Sequence, residues 1–142
     1  MSRPFTPPKR LSPDFQRVQA YWEGLLRGSA EIPFWDDLDL GALPDLAPRI
    51  FLIGAFSKPE RFRLEQVGAD LTAAIGEEVA GRFLDEVEPR GPIAWLTAQC
   101  SATAEAGAPT WCEDAAGQGW RRLILPMWGD GRISMLLGVA EL

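Results

Sequence analysis

The sequence predicts an α+β domain, an antiparallel sheet with helices on one face and an N-terminal helix across the other. Three observations carry this reading. The elements run helix, strand, strand, three helices, strand, strand, strand, so a helical insertion separates two hairpin groups. Two strands, at 49–56 and 133–140, are apolar without alternation and therefore need cover on both faces. A third, at 61–66, alternates cleanly, so one of its faces is wet. The 142 residues amount to one domain, and 46% hydrophobic with 24% charged residues suits a packed globule.

Residues 1–12 read as a flexible, basic, Pro-rich arm ahead of a single domain over 13–142. Ser12-Pro13-Asp14 starts a helix, with a candidate N-cap, a proline in the first turn and then an acidic residue. Phe15, Val18, Trp22, Leu25 and Leu26 follow at helical spacing as one apolar stripe, which predicts a helix over 13–28 stopped by Gly28. A helix this short is marginal alone, so the stripe must lie on something. Residues 29–48 read as an irregular connector broken by Pro33, Pro44 and Pro48 and pinned by Trp35 and Leu38.

Arg49–Phe56 is the first strand, and Ser57-Lys58-Pro59-Glu60 turns it back into the second. There Phe62 and Leu64 point inward while Arg61, Arg63 and Glu65 point outward, as in an edge strand guarded by charge. Ala69, Leu71, Ala73, Ala74 and Ile75 predict a short helix ended by Gly76, and Phe83–Val87 predicts another. Pro92 opens a longer helix with Ile93, Leu96, Thr97 and Cys100 on one face, ended by Gly107-Ala108-Pro109. Strands are predicted at 110–113, 120–127 and 133–140. Asp114–Gly119 is a Gly-rich connector, and Gly129-Asp130-Gly131 is a tight hairpin signal.

Composition removes much of enzymology. The chain has no histidine, hence no Ser-His-Asp or Cys-His engine, no imidazole for zinc and no His-ligated haem. Acid–base work at neutral pH would need a shifted carboxylate or thiol. Cys100 and Cys112 form neither a CxxC pair nor a disulfide framework, and they read as reduced thiols in a cytoplasmic setting. The first 14 residues mix Arg3, Lys9 and Arg10 with four prolines, unlike a secretory signal. No run of 18 apolar residues is present to span a membrane.

The net charge of −6 is uneven, with five basic against two acidic residues in 1–28 and nine against 18 in the remainder. So acidic a body repels phosphate backbones, which argues against a nucleic-acid partner. Gly76–Gly81 mimics P-loop spacing but lacks Lys-Ser/Thr and carries Glu77 and Glu78. Asp36, Asp37 and Asp39 lack the ligand spacing of a calcium loop and read as solvated surface, not a metal site.

The stretches Tyr21-Trp22 to Gly28, Ile32-Pro33-Phe34-Trp35-Asp36-Asp37-Leu38-Asp39, Leu43-Pro44-Asp45-Leu46-Ala47-Pro48 and Ile50–Ile53 form an ordered set. Arg61-Phe62-Arg63 with Val67-Gly68, Gly76–Gly81 with Leu84-Asp85-Glu86, Leu123–Met127, and Gly129-Asp130-Gly131 through Gly138 continue it. In order and spacing this set resembles a PAS domain, and is most similar to the small single-domain PAS proteins common in alphaproteobacteria. The resemblance covers roughly residues 14–142, with the PAS core over 49–142.

It implies a five-stranded antiparallel sheet in the order 2-1-5-4-3. The apolar runs independently place the same two strands, one and five, at the centre. It also implies sensing, regulation or dimerisation in signal transduction in place of catalysis. At this length no output domain fits alongside, so a signal would leave by protein–protein contact, as a homodimer or with a signalling protein such as a histidine kinase. Photosensor flavin needs an Asn-Cys motif that neither cysteine matches, and haem needs an axial histidine. Both cofactors are argued against, which leaves room for another small ligand.

Such a ligand would sit between sheet and helices, where Phe62, Leu64, Leu71, Ile75, Leu84, Leu96, Cys100, Leu123 and Leu125 are expected, with Gln99, Thr97 and Trp111 as polar points. A filled hydrophobic core is the competing reading of the same residues. Trp120, beside Arg121 and Arg122, reads as half-exposed and stacked with a guanidinium. The stripe Phe15, Val18, Trp22, Leu25 and Leu26 serves either as cover within the chain or as a dimer contact. The alternative from another class is a small α+β enzyme with a buried carboxylate as general base, drawn from Glu65, Asp70 or Glu113.

Overall fold

The computed structural model describes residues 5–114 and 119–142. Among these residues, five strands form one antiparallel sheet in the expected order 2-1-5-4-3, accompanied by three α-helices. In chain order the elements are α1 (Pro13–Gly24), β1 (Ile50–Phe56), β2 (Arg61–Val67), α2 (Ala69–Ile75), α3 (Leu96–Ala106), β3 (Thr110–Glu113), β4 (Arg121–Gly129) and β5 (Arg132–Glu141). Most of the Gly-rich connector expected at 114–119, and residues 1–4 of the arm, lie outside the described residues. No helix among the described residues is long and apolar enough to cross a membrane.

Side chains alternate across a strand, so the sheet divides the core in two. On one face Phe51, Ile53, Phe62, Leu64, Ile124 and Leu136 pack with Leu71 and Ile75 of α2 and with Leu96 and Cys100 of α3. On the other, Ile50, Leu123, Leu125, Met127, Leu137 and Val139 pack with Phe15, Val18 and Trp22 of α1 and with Leu43 and Leu46 of the connector. Strands β1 and β5 thus contribute to both clusters, which is why their sequences do not alternate.

Two helix boundaries differ from expectation. The N-terminal helix ends at Gly24, a turn before Gly28, because the Leu25 N–H closes a tight bond to the Trp22 carbonyl. Ser12 precedes it without capping it through its side chain, and Asp14 instead pairs with Arg49 at 2.7 Å. Pro92 opens only a one-turn 3-10 segment, Gly91–Ile93, because Trp95 adopts a left-handed backbone with φ 61° and breaks any continuous helix. The α-helix restarts at Leu96, and the break resets which residues face the sheet. Gln99 and Thr103 join Leu96 and Cys100 inside, whereas Thr97, expected as a polar point of the pocket, is exposed.

Both sheet edges are covered. The Leu64 N–H of β2 donates to the Arg82 carbonyl and the Gly81 N–H donates back to Leu64, at 2.9 and 2.6 Å. On β3 the Trp111 N–H donates to the carbonyl of Phe5, so the arm meets the sheet there. Between β4 and β5, Asp130 and Gly131 both have positive φ, 54° and 77°, as a two-residue hairpin turn requires. Two glycines of the family-like stretches mark close approaches. A Cβ on Gly68 would lie 2.3 Å from the Pro48 carbonyl oxygen, and one on Gly138 would lie 2.5 Å from the Phe51 ring.

Candidate functional site

Of the expected pocket residues, Phe62, Leu64, Leu71, Ile75, Leu84, Leu96 and Cys100 come together between the sheet and helices α2 and α3, where they pack on one another. Leu123 and Leu125 do not join them. They lie on the opposite face beneath α1, and Ile124 takes the inward position. The expectation set β4 one residue out of step, because an apolar run over 123–125 carries no alternation from which to read the phase. Trp111 sits opposite Leu123 in the ladder and packs with the same α1-side cluster.

At the β3–β4 end, the inner core becomes polar. Arg122, wholly buried, lies opposite Cys112 of β3 and Ala140 of β5, on the face that α3 covers. Its Nε donates to Gln99 Oε1 at 2.6 Å and its Nη1 to the Pro92 carbonyl at 2.8 Å. Its Nη2, equally buried, has no partner among the described residues. Gln99 Nε2 is within 3.2 Å of Thr110 Oγ1 and 3.3 Å of the Arg122 carbonyl. Thr103 Oγ1 lies 2.8 Å from the Gln99 carbonyl and 2.6 Å from Thr110 Oγ1, which closes the network. The break at Trp95 falls between Pro92 and Gln99, the two residues that hold the guanidinium.

Trp120 forms one wall. It is buried, not half-exposed as expected, because its ring is covered by Arg122, whose guanidinium carbon is 4.6 Å from the ring centroid. Thr110 belongs also to the lining of a groove of about 760 Å³ between Phe5–Pro7 of the arm and the end of α3.

The electrostatics of the centre are one-sided. Arg122 takes part in none of the ion pairs formed by the described residues. Burial pulls its pKa down to about 10, opposed by the thiols of Cys112 and Cys100. It therefore stays charged at neutral pH. Burial pushes both thiols up, so neither is a ready nucleophile. An ion buried without a counterion carries a desolvation cost of roughly several kcal/mol that neutral acceptors offset only in part.

The other candidates are placed differently. Glu65 pairs with Arg63, and Asp70 and Glu113 are exposed, so none of the three carboxylates enters the buried centre. Asp37 pairs with Arg27 at 2.7 Å, and that hydrogen bond holds its carboxyl below the usual range. Asp39 accepts the Gly41 N–H in a local turn. Phe15, Val18 and Trp22 are buried against their own sheet, with the Trp22 indole N–H donating to the Pro126 carbonyl at 2.9 Å. Leu25 packs at the margin of that cluster, and Leu26 is half-buried beyond the helix end. Of the two readings of the stripe, this is cover within the chain. Trp35 is 44% exposed, yet its indole lies against the backbone of Gly129 and still anchors the connector.

Sequence reasoning found Gln99 and Cys100 but missed Arg122, Thr103 and Thr110. The available signal was Arg122 itself, two positions from both Trp120 and Ile124 and so on their face of the strand. Set against known proteins, the chain matches no family model, no curated protein and no solved structure.

Proposed function

We propose that this chain is a PAS-like regulatory protein of the reducing cytoplasm. It senses a small molecule held between its sheet and α3, and it passes the signal on by contact with another protein. The partner is a second copy of the chain or a signalling protein such as a histidine kinase. One observation carries this reading: among the described residues, Arg122 with Gln99, Thr103 and Thr110 forms a charged, hydrogen-bonding centre inside an otherwise apolar core. Its chemistry suits recognition more than turnover. Guanidinium, amide and hydroxyl groups fix a ligand's orientation. The competing enzyme reading needs a general base in the centre, and Glu65, Asp70 and Glu113 lie outside it.

Because α1 spends its stripe on its own sheet, partner contact falls elsewhere. Trp95 is 72% exposed and sits in the left-handed break between the two residues that hold Arg122. A change at the guanidinium is thereby relayed to a surface indole, the kind of side chain on which protein interfaces concentrate their energy. Native mass spectrometry of the purified chain under gentle and denaturing conditions tests the proposal. A small-molecule mass that is kept gently and lost on denaturation is expected, on a dimer if the partner is a second copy. A chain that carries no added mass in any preparation would contradict the sensing role.

A further inference from the structure

We infer that the molecule held in the core carries a small oxyanion, a carboxylate or phosphate group, which receives the free Nη2 of Arg122. This rests on the reading of the core as a ligand site and adds the chemical class of the ligand. The guanidinium has five N–H donors in a planar fork. Here Nε and Nη1 are each engaged by a neutral oxygen, at 2.6 and 2.8 Å, while Nη2 is buried with no acceptor among the described residues. Buried donors are rarely left in this state, and a water would satisfy the hydrogen bond without offsetting the charge. An oxyanion does both, through the charge-assisted geometry for which arginine is suited.

The surroundings fit the same class. Among the described residues no carboxylate pairs with Arg122, and the neutral hydroxyls of Thr103 and Thr110, bonded to each other and to the Gln99 carbonyl, place no negative charge beside it. The guanidinium carbon lies over the Trp120 ring, 4.6 Å from its centroid, so an aromatic face and not a counterion covers that side of the charge. Thr110 belongs both to the centre and to the groove beneath Phe5–Pro7, whose wall is mainly apolar, with Thr6 and Glu105 also in its lining, and which offers an approach for the remainder of the molecule.

The test uses the full chain, dialysed until its native and denatured masses agree. Thermal midpoints are then measured in chloride, in sodium acetate and in potassium phosphate at one ionic strength, for wild type and Arg122→Met. A rise of about 4 °C is expected for wild type once the favoured probe exceeds its Kd roughly tenfold, with no rise in the variant. Acetate alone would assign a carboxylate and phosphate alone a phosphate. No rise with either anion, or an equal rise in Arg122→Met, would overturn the inference. If that variant does not fold, Arg122→Lys takes its place. It keeps the charge without the fork, and a response equal to wild type would count against Arg122 as the receptor. If a molecule found by native mass spectrometry proves to be uncharged, the oxyanion inference fails while the ligand-sensing reading stands.

Discussion

Trp22 ties α1 to the sheet through a single buried ring and a single hydrogen bond. Pro126 makes that bond necessary. Strand β3 pairs with β4 only as far as Ile124, so beyond it the edge of β4 is covered by other parts of the chain. There Trp128 donates its N–H to Pro33, and Pro126, with no N–H of its own, offers a carbonyl that Trp22 Nε1 covers at 2.9 Å. Trp22→Phe should cost about 1–3 kcal/mol, the penalty for a buried carbonyl left unsatisfied. Trp22→Ala should cost about 3–5 kcal/mol. Urea unfolding measures both, and a cost below about 1 kcal/mol for the alanine variant would mean that α1 is not the cover of its own sheet. Gln99→Leu removes the only side-chain acceptor of Arg122 among the described residues and should cost about 1.5–3 kcal/mol in the same assay. The residue that matters most was the hardest to read from sequence. An arginine in a strand ordinarily marks the wet face, and the apolar residues at 123, 124 and 125 give no phase by which to place it inside.

At the scale of elements, most of the chain's grammar was legible. The edge character of β2, the Gly76 stop of α2 and the Asp130-Gly131 hairpin each follow from local chemistry that the fold does not override. The exception is the break before α3. Ile93, Leu96, Thr97 and Cys100 have continuous helical spacing, and a left-handed tryptophan has no sequence signature, so Thr97 is expected inside with the other three and is instead exposed. Trp95→Gly would place at φ 61° a residue that adopts it freely and should leave stability unchanged or raise it by up to about 1 kcal/mol. A loss would show that the exposed indole packs where the fold leaves it open. At Gly68 the backbone of Pro48 and Ala47 comes so close that any Cβ must displace main chain. Gly68→Ala should therefore destabilise by about 1–3 kcal/mol, read from the urea midpoint.

For the whole molecule, the central places of β1 and β5 were legible because burial is written into their apolar runs, and the full order 2-1-5-4-3 was what the family resemblance implied. Two runs without alternation can only be central in a five-stranded sheet. The pH dependence of stability also belongs to this scale. Asp37, Asp45 and Asp85 are each held below the ordinary value of 3.8, first by a hydrogen bond from Arg27, Arg17 and Arg61 respectively. Their folded pKa values lie below the unfolded ones, so their small contribution is present above about pH 4 and lost as the pH falls through the folded values. Cys100 is shifted the other way by burial, from an ordinary 9.0, so the folded state keeps its proton longer and stability declines as the pH rises past that value. With no histidine between them, the thermal midpoint should be flat from about pH 5 to 8 and fall on either side. Circular dichroism melts from about pH 3 to 10 check this, and a step near pH 6.5 would contradict it.

The Arg122 centre joins these scales, since one buried charge carries the proposed sensing role. High-resolution crystallography of the purified chain reads it most directly, through the electron density beside Arg122 Nη2. Density for a small non-protein oxyanion within hydrogen-bonding distance of that nitrogen is expected. A protein carboxylate or carbonyl in the same place would make the centre a purely structural ion pair or hydrogen bond, and the ligand-sensing role would fall with it.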